Sequence, residues 1–408
     1  MTDTHLPAGP PRPLPDTTPS VADRTRWSAA LDRLRSPQGW LYASDPTQRF
    51  GSLFGRDSLI SALALLPFDP TIAERTLTRL GVELGAVDDP ELESEPGKVI
   101  HESRDEGLEL YERHGWPVRH GRLRYYGSID ASLWFLIVYG ALARYGHRVL
   151  QHTAAARRVQ AWLHEQPLPL TYTRRARHGG LAHQWWRDVA ADLEGNGHGM
   201  ITTTGRPMQA PVAVAAVGAL AWRAWAEVTE TLDRHADIHA RRAHDVFLAS
   251  FQPAAAPAAF ARHRDGLDLS PTSDLGIVCW TGVVDGARLD ANARRLLDDD
   301  LMTAHGVRTL PHTHAGFRPD GYHTGSVWPF DSWLAAGGLA AAGYTQAASK
   351  VTSGVIDALD RLGGYPELYV VDPDDHTVAP SKEACSLQAW TVASVSAISL
   401  GWDGRSWA

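Results

Sequence analysis

Apolar residues in this chain come in two alternating kinds of segment. Their spacing predicts helices over about 21–36, 56–66, 71–86, 129–145, 147–164, 208–229, 236–251, 273–282, 286–299, 326–341, 344–361 and 385–400. The odd-numbered segments are amphipathic and charged, as in VADRTRWSAALDRLR, so one side of each can meet water. The even-numbered ones are nearly uncharged, as in ASLWFLIVYGALARYG and APVAVAAVGALAWRAW, and a helix apolar all round is buried on every side. The connections are sorted too. Those from an even segment to the next odd one take about one to six residues, and those from odd to even about 20 to 45, a length usually reserved for function.

An inner ring of six apolar helices inside an outer ring of six amphipathic ones satisfies both patterns. The expected fold is therefore all-α, an (α/α)6 toroid forming one catalytic domain over 21–408, with the long loops gathered at the N-termini of the inner helices. A stacked solenoid would also pair helices, but it requires a repeating sequence period, and none is visible. Residues 1–20 hold six prolines and lack a basic-then-apolar arrangement, so they read as a disordered tail rather than a signal peptide.

Composition removes several function classes. A net charge of −8 with no basic run argues against a nucleic-acid partner. The apolar stretches are too short to span a bilayer, so no membrane role is expected. Neither HExxH, paired CxxC, Walker loop nor GxSxG occurs, and no metal or cofactor is expected. Cys279 and Cys385 sit in apolar segments and read as buried thiols of a cytoplasmic protein, although spacing leaves a disulfide open. Fifteen tryptophans are the unusual feature. Trp185, Trp186 and Trp328 fall at or beside long loops, where indole faces can carry sugar rings, though each is also a natural core residue.

The long loops supply acids. Asp57, Asp130 and Asp274 each precede an apolar helix closely enough to be helix caps or first-turn anions. Capping is the simpler account of Asp274. Arg56 beside Asp57, and Tyr125–Tyr126 before Asp130, favour ligand contact for those two. Asp188 follows Trp185, Trp186 and Arg187 with no apolar helix behind it, and Asp192 and Glu194 share its loop. Glu367 lies well before the last helix. Capping explains neither Asp188 nor Glu367. Two carboxyls facing across an aromatic-lined pocket are what glycoside hydrolysis needs, one protonating the leaving oxygen and the other activating water or attacking the sugar. The flanking tryptophans can desolvate Asp188 and suit it to the acid role, with Arg187 opposing if it points inward.

The segments FGRDSLI, PGKVIHESR, YYGSIDASLWF, HQWWRDVAADL, YHTGSVWPFDSW, PELY and ACSLQAW occur in one order along the chain. In these the chain resembles the amylo-α-1,6-glucosidase module of glycogen-debranching enzymes, an (α/α)6-barrel family. The resemblance implies Asp188 as general acid and Glu367 as general base. It implies sugar contacts from Arg56, Asp57 and Asp130 and a pocket lined by Tyr322, His323 and Trp328; Tyr126, Trp186 and Arg187, which adjoin these motifs, are expected substrate contacts as well. It implies inversion at the anomeric carbon of an α-linked glucose, the carboxyls standing about 6.5–9.5 Å apart. The expected substrate is an oligosaccharide or small glucoside. Three departures stand out. The segment after Asp188 reads Val189-Ala190-Ala191-Asp192 in place of a Ser-Gly-Asp pattern, only a short tail precedes the domain, and the insertion around 109–121 carries Tyr111, His114 and Trp116, suiting a lid, a subsite wall or a solvated loop. The first departure keeps a carbohydrate-binding protein on a decayed scaffold in view. A toroid sugar isomerase or phosphorylase is the third possibility.

Overall fold

The computed structural model describes residues 21–191 and 199–405. Asp192 and Glu194, and the proline-rich tail, lie outside the described residues. Six helices are buried along nearly their whole length: α2 (Gly55–Ala64), α5 (Asp130–Arg144), α7 (Ala215–Thr231), α9 (Leu275–Thr281), α11 (Pro329–Ala341) and α13 (Ala389–Ser399). In α5 every residue from Asp130 to Leu142 is buried, as the apolar sequence requires. Each of these helices packs on the next in chain order, and α13 packs back on α2.

The amphipathic helices lie outside them. These are α1 (Val21–Leu34), α3 (Pro70–Val82), α6 (Thr153–Glu165), α8 (Asp237–Phe251), α10 (Gly286–Leu296) and α12 (Thr345–Leu362). In α12 the buried positions Ala348, Val351, Thr352, Val355, Ala358 and Leu359 recur at three and four residues, so one stripe faces inward. Each outer helix lies against at least one inner helix, α3 against both α2 and α5, and α1 lies on α13, which brings the two ends of the described chain together. Such a closed cycle of six pairs is what the alternation of helix types anticipates.

Local chemistry sets the helix ends. Asp69 accepts from the Thr71 amide, with Pro70 at the first position of α3. Gly363 closes α12 at φ 68°, a left-handed conformation that glycine adopts without penalty. Two further glycines let α9 and α11 approach closely. A Cβ at Gly276 would lie 2.6 Å from Ala335 Cβ, and one at Gly338 would lie 2.7 Å from Cys279 Cβ. Both cysteines are buried free thiols. Among the described residues no helix is long and apolar enough to cross a membrane.

The long loops differ from the all-α expectation. They hold short antiparallel strands, of which the first four, β1 (Leu53–Phe54), β2 (Glu102–Arg104), β3 (Val118–Arg119) and β4 (Arg122–Tyr125), form a sheet in the order β1-β2-β4-β3. Strands of two to four residues are too short to show a period of two, so the sequence pattern hides them. Between β2 and β3 the insertion forms a short helix, α4 (Glu109–Arg113), with no buried residue of its own. A separate small apolar cluster of Leu123, Tyr125 and Leu181 holds Leu108, Tyr111, Trp116 and Val118 against it.

Candidate active site

At the loop end a cavity of about 600 Å³ opens among residues from the first three long loops and Tyr322 of the fifth. Asp188 is on its wall, with its side chain about 26% exposed. The short strands β5 (Leu181–His183) and β6 (Val189–Ala190) flank it, so the altered Val189-Ala190 sequence is a paired strand that also lines the cavity. Facing it are Arg49, Phe50, Phe54, His101, Glu102 and Arg104. Leu110, Tyr111, His114 and Trp116 complete the rim, so the insertion lines the cavity although its helix buries no residue of its own.

Arg56 ties the acids together. Buried at the start of α2, its Nε donates to Asp130 at 2.9 Å, one terminal nitrogen to Asp188 at 2.8 Å, and the other to the Ser128 hydroxyl at 3.2 Å. Asp130 is fully buried and also accepts from Ser128. It orients the guanidinium instead of meeting the cavity, so its expected sugar contact is replaced by a supporting role. Asp57 is buried and accepts from Gln388 Nε2 at 3.0 Å. Burial is the main reason its carboxyl rises well above the usual range, with Arg56 opposing.

Burial likewise pushes Asp188 up to about 6, against the nearby Arg56 charge. Glu367 is raised to about 7, first by burial, with the Tyr322 and Cys385 hydrogen bonds pulling the other way and the Asp188 charge adding to the rise. Glu367 is 2% exposed. Its Oε1 accepts from the Tyr322 hydroxyl at 2.6 Å and its Oε2 from the Cys385 amide at 3.2 Å. Tyr322, half-buried on the cavity wall, therefore links the cavity to Glu367. The two carboxyls left over by the capping argument thus sit within electrostatic reach of each other, Asp188 on the cavity wall and Glu367 buried behind Tyr322.

Other expected contacts fall behind this surface. The Tyr126 hydroxyl donates to the Glu83 carbonyl at the end of α3, so it braces the second long loop and is not among the residues lining the cavity. Trp186 is buried and donates through Nε1 to Asp274. Trp328 is buried, donates to the Tyr322 carbonyl, and stacks on His323 with centroids 5.3 Å apart. His323 accepts through Nδ1 from the Gly199 amide. These rings form an aromatic floor beneath Tyr322, because an indole this thoroughly packed gains more from burial than from an exposed sugar-binding face. Arg187 points into the protein and donates to Asp274, Ser273, Thr309 and His323, leaving it no cavity contact. Asp274 is not the side-chain cap its position suggests: its carboxylate takes Trp186, Arg187 and Thr272 instead.

Sequence reasoning missed Arg49, His101, Glu102, Arg104 and Gln388. His101 and Glu102 belong to a segment, PGKVIHESR, that carries no helix period, and only the sheet folds it back over Arg56. Burial and the charges of Arg56 and Lys98 hold the His101 ring neutral, its pKa well below the ordinary value. Glu102 gathers Arg104 at 2.8 Å, the Tyr111 hydroxyl at 2.8 Å and Ser52.

Comparison with known proteins fits this geometry. The chain is similar over 92% of its length to a GH63 mannosylglycerate hydrolase from Thermus thermophilus bound to Tris and D-glycerate, at 15% identity and a TM-score of 0.66, covering 99% of that chain. The same hydrolase in complex with glucose aligns at 16% identity and a TM-score of 0.64, again over 92% and 99%. A wild-type glycosidase aligns at 16% identity, 93% and 96% coverage, and a TM-score of 0.59. These likenesses establish a shared fold. The search of curated proteins found no relative for this chain. One family model matches residues 138–381, a span that includes Asp188, Tyr322 and Glu367 and exceeds half of the 408 residues. The glycosidase expectation stands, though the matched family is not that of the debranching α-1,6-glucosidases: the chain belongs to the mannosylglycerate hydrolase MGH1-like glycoside hydrolase domain family.

Proposed function

We propose that this protein is an inverting, exo-acting glycoside hydrolase of small α-glycosides, built as one (α/α)6 toroid from residue 21 onward and acting in the cytoplasm. The observation that carries the reading is the pairing of Asp188 on the cavity wall with Glu367 behind Tyr322, both buried enough to titrate near neutrality. Asp188 is the general acid because it alone of the two faces the cavity, where a leaving oxygen can reach it. A bound sugar that covers its remaining exposed surface raises its affinity for a proton further. Glu367 is the general base. Two donors, the Tyr322 hydroxyl and the Cys385 amide, fix it as an acceptor and offset part of the rise that burial causes. In the reaction the proton of Asp188 passes to the glycosidic oxygen as the C1–O bond breaks, while Glu367 takes a proton from the water that attacks C1 from the opposite face.

Arg49, Arg104 and the walling insertion favour a compact, negatively charged aglycone such as the glycerate held by the Thermus hydrolase over a branched glycan. The narrower debranching-type reading, cleavage of an α-1,6-linked glucose, remains testable with isomaltose and limit dextrin. Incubation with mannosylglycerate, glucosylglycerate, isomaltose, trehalose and limit dextrin, followed by proton NMR, checks all of this. The expected result is release from a glyceryl glycoside with the β-anomer appearing first. Asp188→Asn and Glu367→Gln should each lower turnover at least about a hundredfold. Appearance of the α-anomer first would overturn inversion and the general-base role of Glu367, whereas oligosaccharide binding without release would overturn the hydrolase assignment and favour a binding protein on this scaffold.

A further inference from the structure

The residue before Asp188 carries more hydrogen bonds than the cavity chemistry uses. Arg187 is 1% exposed. Its Nε donates to Asp274 at 2.8 Å, one terminal nitrogen to the His323 carbonyl at 2.9 Å, and the other to the Ser273 hydroxyl at 2.8 Å and the Thr309 carbonyl at 3.0 Å. The guanidinium also lies 4.4 Å from the centroid of the Trp186 ring. These partners come from the fourth and fifth long loops, whereas Arg187 belongs to the third. Asp274 completes the arrangement, since its second oxygen accepts from Trp186 Nε1 at 2.9 Å. Both residues immediately ahead of Asp188 are thus held by a single carboxylate at the start of α9.

We propose that Arg187 and Asp274 form a positioning pair, which fixes the backbone of the third loop so that Asp188 meets the leaving oxygen. This rests on the reading of Asp188 as the acid. Burying a full charge is costly unless it is paired and hydrogen-bonded, and an ion pair so enclosed is weak evidence for stability as such. A planar fork with four directed bonds instead determines geometry, which a lysine cannot reproduce. Displacing a reacting group by about 1 Å can lower turnover roughly a hundredfold. Asp188 departs from the pair towards Arg56, so nothing in the clamp touches the cavity, and neither residue is itself catalytic.

The test separates aiming of the acid from general loss of structure. A glycosyl fluoride breaks its C1–F bond to release fluoride with little need of a proton, whereas a glyceryl glycoside requires one. Wild type, Arg187→Lys, Asp274→Asn and Asp188→Asn are compared on mannosylglycerate or glucosylglycerate, whichever wild type turns over faster, and on the matching α-glycosyl fluoride. The expected result for Arg187→Lys and Asp274→Asn is a fall in kcat of about 10² on the glycoside. On the fluoride the fall should be no more than about fivefold, with KM for the glycoside within about threefold of wild type, since uniform binding is untouched. Equal losses on both substrates, or no loss on either, would overturn the positioning role. If Arg187→Lys does not fold, as judged by thermal melting, Asp274→Asn decides by the same comparison. Asp188→Asn serves as the reference. Should it lose both substrates equally, the acid assignment fails independently of the clamp.

Discussion

An ionised Glu367 works against the fold that holds it, so removing its charge should abolish turnover and yet raise stability at alkaline pH. Its carboxyl is lifted from 4.5 to about 7, chiefly by burial. Between those values the folded chain binds more protons than the unfolded one, so stability falls as pH rises through this window and the whole penalty is present above it. At about 1.4 kcal/mol per pH unit, the penalty is roughly 3 kcal/mol at pH 8 and close to nothing at pH 4.5. Glu367→Gln removes it. The amide oxygen can still accept from Tyr322, but its NH2 group confronts the Cys385 amide, a lost bond worth about 1 kcal/mol. The net change is a gain of about 2 kcal/mol at pH 8 and a loss of about 1 kcal/mol at pH 4.5. With an unfolding entropy near 2.1 cal/mol/K per residue, about 2 kcal/mol moves Tm by roughly 2–3 °C in a chain of this length. Differential scanning calorimetry of both proteins at pH 8 and pH 4.5, at one ionic strength, reads the effect directly. The Tm difference should reverse sign between the two conditions. A difference of the same sign and size at both would refute the linkage of burial to the raised carboxyl.

Asp331, wholly buried in the first turn of α11, is raised to about 7 by burial and by the Asp274 charge. Asp331→Asn should therefore melt within about 1 °C of wild type at pH 4 and above it at pH 8, whereas a loss of several degrees at pH 8 would mean that the anion is needed. Gly55→Ala puts a Cβ 2.1 Å from the Ile100 carbonyl oxygen. It should cost about 1–3 kcal/mol by denaturant titration and lower turnover as well, because α2 must shift and carry Arg56 with it. Trp116→Ala removes edge contacts to Tyr111 and Tyr125 at 5.4 and 4.9 Å. Steady-state kinetics should give a higher KM with kcat nearly kept, and an unchanged KM would argue that this wall does not touch substrate.

The helices are legible in the sequence because burial on one side or on all sides leaves a period that composition cannot disguise. The 129–145 and 236–251 segments end within about a residue of α5 and α8. The segment that reads as helical from 208 begins only at Ala215, since Pro211 and the β-branched Val212 and Val214 favour the extended backbone that pairs with the loop beyond α8. Asp188 and Glu367 are legible by elimination, as acids that no helix start can use. Their neighbours are harder to read. Whether Arg187 turns to the cavity or to Asp274 depends on which loop lies behind it, and that is decided by contacts some ninety residues away in sequence. Tyr126 and Trp186 pose the same difficulty: an aromatic near a catalytic acid suggests a sugar platform, whereas its polar atom is already committed to a protein partner.

The insertion rests on a cluster of three buried side chains separate from the main core. Substitutions along this rampart therefore act on the loop sheet and its Glu102 contacts rather than on the main core. Lineages carrying the scaffold could exchange Tyr111, His114 or Trp116 for other residues, altering which molecules enter, without drawing on the cohesion of the helices beneath. Selection for a new substrate would find its most permissive ground there.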